Sequence, residues 1–210
     1  PGPARMAEAR VLRFLLRSVV RRVAGNERRD PTVALSPGAE AALNDYLEGP
    51  LRRQIEREAP GGSLPDELAF VFGHTHKPFA GTRRPSGYDR TVDVLNTGGW
   101  VVDTREPAPM QGGAAVLLDE DLNAALLRLY NESVDGRPTP VRVEHAGHGG
   151  AASANPLFDR LAEMVDSDAQ PWAGFATTVA ESVDEHRRRL CASLAALERP
   201  SENPRRAAWT

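Results

Sequence analysis

Two histidines separated by one residue, His74 and His76, are the residues of this sequence best suited to chemistry. Neutral imidazoles bind zinc, manganese and iron, and side chains two residues apart in an extended turn project to the same side. Their α-carbons would lie about 6.6 Å apart, which is two steps along a strand. That separation lets both rings reach one ion, or lets each ring reach one of two ions about 3.5–4 Å apart. The pattern predicts a metal site at these histidines.

The segments around the histidines are typical of a rigid support. Residues 68–72 form an unbroken apolar run, which predicts a strand buried on both faces. Gly73 allows the backbone to bend after that strand, and Pro78 prevents the turn from continuing as a helix. Residues 92–95 predict a second strand, which runs directly into the sequence Asn-Thr-Gly-Gly-Trp at 96–100. We therefore expect the histidine turn to be held by a sheet.

The rest of this central region predicts a small sheet. Residues 79–90 are rich in glycine, proline and arginine, so we expect a loop there. Residues 114–118 and 122–130, separated by an acidic turn at 119–121, predict a β-hairpin. Together these segments give three or four strands.

This combination resembles the C-terminal part of a calcineurin-like metallophosphoesterase. In that family a strand runs into Gly-His-x-His, and a following strand commonly ends in an Asn-x-Gly turn beside the site. The resemblance implies the C-terminal half of a two-sheet sandwich flanked by helices, with two divalent ions (Mn, Fe or Zn). It implies that His74 binds one ion and His76 the other. It also implies hydrolysis of a phosphate ester by a metal-bound hydroxide.

The resemblance covers about one third of the 210 residues. The family's earlier motifs are Asp-x-His, Gly-Asp-x-x-Asp, Gly-Asn-His and a lone histidine; none of them occurs before His74, and no histidine precedes it. We therefore expect this chain to be the tail part of a phosphoesterase. It would contain no catalytic residue beyond the metal ligands and would be inactive alone.

Two groups of residues are candidates for the substrate pocket. Asn96, Thr97 and Gly98 could line it with amide donors, although a plain tight turn explains them equally well. Arg83 and Arg84 lie on the predicted loop and could meet an anionic substrate, although exposed arginines are usually only solvated. Trp100 could stack on a leaving group, and the simpler interpretation packs it under the sheet. The expected substrate is a phosphorylated small molecule or a phosphodiester.

The predicted fold class is α+β or α/β, with a helical block before the sheet and a helical hairpin after it. The expected divisions are a helical insertion or cap at 1–62, the phosphoesterase core at 63–134, a linker at 135–155, the helical hairpin at 156–200 and a disordered tail at 201–210. Within the first block, Ser36 and Pro37 predict a helix start and the Gly49-Pro50 pair predicts a break. His186 falls on the apolar stripe of the last helix, which predicts a packed or half-buried ring.

Composition excludes several classes of function. The chain has 26 basic and 29 acidic residues and a formal charge of −3, which argues against a broad nucleic-acid surface. No apolar run is long enough to span a membrane. The single cysteine, Cys191, excludes an internal disulfide. We expect a cytoplasmic protein.

Two alternatives remain open. The helical segments could make the chain a non-catalytic interaction module, with a homo-oligomer formed through the C-terminal helices and the histidine turn as a relic or a structural metal clip. His145 and His148 could also join the histidine turn in a four-histidine zinc site, although their glycine-rich surroundings are typical of a linker.

Overall fold

The computed structural model describes residues 33–73, 75–102, 104–133, 135–146 and 154–198. Within these ranges the chain is a mixed α+β protein, with two three-stranded β-sheets that have helices before and after them. Residues 1–32 of the expected helical insertion or cap, and the tail at 201–210, lie outside the described residues.

The first helices follow the predicted start but not the predicted break. Helix α1 (Pro37–Tyr46) begins at Ser36, whose Oγ accepts a hydrogen bond from the Ala39 amide at 3.2 Å. A π-helical turn (Leu47–Leu51) then leads directly into α2 (Arg52–Glu58). The predicted break at Gly49-Pro50 is therefore wrong. The wider turn accommodates Pro50, whose ring would clash with a carbonyl in a regular α-helix.

The first sheet consists of β1 (Ala69–Phe72), β2 (Phe79–Arg83) and β3 (Val92–Asn96), in the order β1-β3-β2. Strand β3 is parallel to β1 and antiparallel to β2. The strands predicted at β1 and β3 are confirmed, but only the central β3 is buried throughout; Val71 of the edge strand β1 is 40% exposed. Strand β2 occupies part of the predicted loop at 79–90, and its pairing with β3 overrides its glycine and arginine content.

The second sheet is antiparallel and consists of β4 (Gly112–Leu118), β5 (Ala124–Asn131) and β6 (Arg142–Ala146), in that order. The hairpin of β4 and β5 is confirmed. Strand β6 lies within the segment predicted as a linker at 135–155, so that segment is not a simple linker. Strand β6 was not predicted because it is only five residues long and contains several polar side chains. Such a segment becomes recognisable as a strand only through its pairing with β5.

Two apolar clusters show how these elements pack. On one face of the first sheet, Val92 and Val94 pack with Leu47 of the π-helical turn and with aromatic residues of β1 and β2. On the other face, Leu95 packs with Ala114 and Leu126 of the second sheet. The first sheet therefore lies between the N-terminal helices and the second sheet.

The C-terminal helices are α3 (Pro156–Met164) and α4 (Trp172–Glu198). Buried Asn155 caps α3, because its Oδ1 accepts from the Phe158 amide at 2.9 Å while its Nδ2 donates to a backbone carbonyl of β5 and one of β6. Helix α3 packs on β5 and β6 and α4 packs on β5, so the expected helical hairpin is dominated by contacts with the sheet. None of the helices in the described ranges is long and apolar enough to cross a bilayer.

Candidate functional site

The histidine turn and the Asn-Thr-Gly-Gly turn meet at one edge of the first sheet. Strands β1 and β3 are adjacent and parallel, so the segments that leave their carboxyl ends lie side by side. The Thr97 amide donates to the Phe72 carbonyl at 2.9 Å, which continues the parallel pairing beyond the strand ends. Two motifs about twenty residues apart in sequence are thereby brought together.

His76 is held in an uncommon conformation inside this arrangement. Its φ of 62° lies in the left-handed region, and the residue is only 4% exposed. Its ring lies against Gly99, where a Cβ atom would be 2.5 Å from the ring carbon Cδ2. Its carbonyl accepts a hydrogen bond from the Gly112 amide at 2.8 Å. Contacts from two separate segments therefore position this residue, one on its ring and one on its backbone.

His74 lies outside the described residues, but the residues on either side of it are fixed against the second turn. A Cβ on Gly73 would lie 2.7 Å from Thr97 Oγ1, so this position has no room for a side chain. On the other side, Thr75 Oγ1 accepts a hydrogen bond from the Asn96 side-chain amide. Of the predicted histidine pair, the structure thus places His76 and both neighbours of His74.

The hydrogen bonds of Asn96, Thr97 and Gly98 favour the tight-turn interpretation of these residues over a substrate pocket lined with their amide donors. Asn96 is fully buried, and its side chain makes two hydrogen bonds. Its Oδ1 accepts one from the Gly98 amide at 2.8 Å, and its Nδ2 donates one to Thr75 Oγ1. The Thr97 amide donates to Phe72. The backbone amides of Thr97 and Gly98 therefore both donate to acceptors within the protein. Together with the Asn96 side chain, these two residues position the histidine turn.

Lys77 is a further residue of this turn that no sequence pattern predicted. It is the chain's only lysine and is 1% exposed. Its Nζ donates to the Val33 carbonyl at 2.9 Å, which links the histidine turn to the segment before α1. A lysine in a chain whose other basic residues are arginines was the available signal.

Arg83 and Arg84 are not brought to the histidine turn. Arg83 ends β2, four residues beyond Phe79 and therefore about 13 Å along the strand from the turn. Its Nη2 forms an ion pair with Glu40 of α1 at 2.6 Å. Arg84 is exposed beyond the strand. Both arginines belong to the opposite end of the sheet.

Trp100 is 55% exposed, so the prediction that it packs under the sheet is wrong. Its ring contacts that of Tyr130, with 4.9 Å between the ring centroids. The Tyr130 hydroxyl donates to the Gly99 carbonyl at 2.7 Å. An aromatic pair therefore stands directly beside the residue that supports the His76 ring.

His145 and His186, the other histidines among the described residues, do not add ligands to this turn. The ring of His145, on β6, packs against Phe158 of α3 with 5.2 Å between ring centroids, and His148 lies outside the described residues. His186 is exposed on α4 rather than packed. Asp184 and His186 have Asp-x-His spacing, but residues two apart on a helix do not face each other. Among the described residues no three His, Cys, Asp or Glu side chains could hold an ion together.

Comparison with protein-family models, with curated proteins and with solved structures found no match for this chain. Its function must therefore be inferred from its own residues. The feature that demands explanation is a buried, left-handed histidine in a turn with a second histidine, packed against a glycine-rich turn at the ends of parallel strands.

Proposed function

We propose that this chain is part of a two-metal phosphoesterase, in which His74 binds one divalent ion and His76 the other. The observation that carries the proposal is the meeting of the Gly-His-x-His turn with the Asn-x-Gly turn at the carboxyl ends of β1 and β3. The resemblance implied that the two turns lie together. This contact could not be derived from either motif alone. The Asn96 side chain connects the two turns.

The layering of the chain supports the same proposal. Leu95 and Leu126 pack the two sheets against each other. The N-terminal helices cover the other face of the first sheet. Ala146 of β6 packs in the cluster between the two sheets. Its neighbour His145 therefore lies on the opposite face of the second sheet, where its ring contacts Phe158 of α3. Helix α3 thus covers the outer face of that sheet. We propose that these layers are the C-terminal half of the family's two-sheet sandwich.

The two histidines are of a residue type that binds divalent ions, but two ligands are fewer than a two-metal site requires. Imidazole suits manganese, iron and zinc, and the absence of a side chain at Gly99 creates the space in which the His76 ring lies. Two histidines are too few for two ions, so we propose that the other ligands come from residues beyond this sequence. When bound, a pair of divalent ions generates hydroxide from water and neutralises phosphate oxygens.

In this proposal the chain's own residues orient ligands and perform no proton transfer. The hydrogen bond from Gly112 holds the His76 backbone, and Gly99 contacts its imidazole. Asn96 fixes Thr75, and thereby the backbone between the two histidines. Groups that orient a metal ligand commonly change metal affinity by about 10–100-fold when they are replaced. The turn therefore supplies preorganised ligands to a site completed elsewhere.

Metal titration of the purified chain tests this proposal. Zn²⁺ and Mn²⁺ would be titrated into the wild type and into His74→Asn and His76→Asn variants, with heat of binding as the readout. We expect each variant to lose the binding of one ion, because each removes the imidazole ligand of that ion. His145→Asn and His186→Asn are the matched controls and should bind as the wild type does.

Activity provides the second part of the test. In a longer protein that supplies the missing aspartate and histidine motifs, His76→Asn should abolish hydrolysis of p-nitrophenyl phosphate, while His145→Asn should not. Metal binding that is unchanged in both single variants, or hydrolysis that survives in His76→Asn, would end the phosphoesterase proposal.

A second candidate function is an interaction module formed by α4. Leu197 near the end of this helix is 81% exposed, and Leu190 and Leu194 are half-buried on the same helix. A partly exposed apolar stripe of this kind is typical of a helix that pairs with another chain. The two candidates differ in what they require, since only the phosphoesterase needs the histidine turn.

A further inference from the structure

A cavity lies beside the histidine turn, between the end of the first sheet and α4. One wall is the aromatic pair Trp100 and Tyr130, and the other wall is formed by Val179 and Val183 of α4. Trp100 directly follows Gly99, the residue on which the His76 ring rests. Gly99 therefore lies between the cavity and His76, one of the two proposed metal ligands.

The aromatic wall is positioned by a hydrogen bond and by close packing. The Tyr130 hydroxyl is fixed by its 2.7 Å hydrogen bond to the Gly99 carbonyl, and the Trp100 ring is tilted 48° against the tyrosine ring. A Cβ on Gly113 would lie 2.9 Å from both rings, so the absence of a side chain there makes room for the pair. With Trp100 more than half exposed, this wall presents an aromatic surface to the cavity.

The cavity also has a polar edge, formed by Ser182 and His186 of α4. His186 Nδ1 lies 2.7 Å from the Ser182 carbonyl oxygen. A carbonyl oxygen only accepts, so Nδ1 carries the hydrogen in this contact, and in the neutral ring Nε2 is then an acceptor. The cavity thus combines an aromatic wall, an aliphatic wall and a hydrogen-bond acceptor.

We propose that this cavity binds a planar heteroaromatic ring that carries an N–H donor on its edge. Aromatic side chains stack on such rings, the valines cover the opposite face, and the His186 imidazole accepts from the edge. Given the phosphoesterase function proposed above, on which this step rests, the ring is the leaving group of the phosphate ester. A nucleobase has the required chemistry.

Adenosine is the probe for this site, because it offers a planar ring and an amino group but contains no phosphate. Binding to the metal-free chain would be followed by NMR titration. We expect Trp100→Ala to weaken adenosine binding by about tenfold, the loss of one stacked ring. Trp100→Phe should retain most of the affinity, and Trp172→Phe, a change of the same kind away from the cavity, should have no effect.

Purine riboside, which lacks the amino group, tests the polar edge. His186→Ala should weaken adenosine binding by about two- to tenfold, the value of one hydrogen bond, and leave purine riboside unaffected. Thermal unfolding of each variant establishes that the fold is retained.

Absence of adenosine binding, or equal binding by Trp100→Ala, would overturn the ring site whatever the metal titrations show. A different outcome separates the two proposals. If Trp100→Ala weakens adenosine binding while His74→Asn and His76→Asn leave metal uptake unchanged, the ring site is confirmed and its role in ester hydrolysis is refuted.

Discussion

Replacing Gly99 with alanine tests the structure of the site directly. The new Cβ would lie 2.5 Å from His76 Cδ2 and 3.2 Å from both Cγ and Nε2 of the same ring. Ordinary contact begins at 3.4 Å, so the ring or the loop must move by about 0.9 Å (3.4 − 2.5). Gly99 does not have a left-handed φ, so this effect is steric.

The displacement predicts two measurable losses. Overpacking of a buried contact costs about 1–3 kcal/mol of unfolding free energy, and each kcal/mol lowers the melting temperature by about 2–4 °C in a protein of this size. Metal–ligand distances tolerate changes of only about 0.2 Å, so the shifted imidazole should also bind metal about 10–100-fold more weakly.

Gly81→Ala is the matched control, because it adds the same methyl group to β2 of the same sheet. Its nearest neighbour would be Arg83 Nη1 at 3.8 Å, an ordinary contact. Thermal unfolding and Zn²⁺ titration of both variants are the assays. A Gly99→Ala protein that matched Gly81→Ala in both measurements would refute the packing described for His76.

Three further predictions concern other parts of the chain. Asn96→Ala should lower the unfolding free energy by about 1–3 kcal/mol in denaturant titrations, because a buried amide of the following turn loses its acceptor; an unchanged midpoint would contradict this. Hydrogen bonding, chiefly from the Asn123 side chain, holds the pKa of Asp119 below its usual 3.8, so this carboxylate stabilises the fold above that pH and the contribution is lost as pH falls through the lower pKa of the folded state. Asp119→Asn should therefore reduce the fall in melting temperature on acidification, and equal slopes for both proteins would disprove it. The interaction-module alternative predicts that Leu190→Ala with Leu194→Ala changes the sedimentation coefficient and leaves zinc binding intact, whereas a monomer with or without these changes would exclude it.

Much of the fold could be predicted from local patterns. The acidic turn after β4 marked the hairpin, Ser36 marked the start of α1, and the apolar runs marked β1 and β3. Strands β2 and β6 could not be predicted in this way. Their residues have no clear alternation, and it is pairing with β3 and β5 that makes them strands.

The candidate site shows the same division. The sequence selected the histidine turn and the Asn-x-Gly turn, but it left open whether the amides of Thr97 and Gly98 line a substrate pocket or belong to a plain tight turn. Those amides are already used inside the protein, because the turn beyond β3 must satisfy its own hydrogen bonds. Arg83 was also misplaced, since its distance from the turn depends on the length of a strand that the sequence did not reveal.

The amino-acid sequence by itself determined which side chains could bind metal, because residue type and a spacing of two are local properties. It also determined the lack of an internal disulfide, since there is one cysteine. Only the tertiary structure decided that β1 and β3 are parallel neighbours, that Gly99 supports the His76 ring and that Trp100 opens onto a cavity beside it. These are relations between segments distant in the chain, and they are fixed by packing, which no single segment encodes.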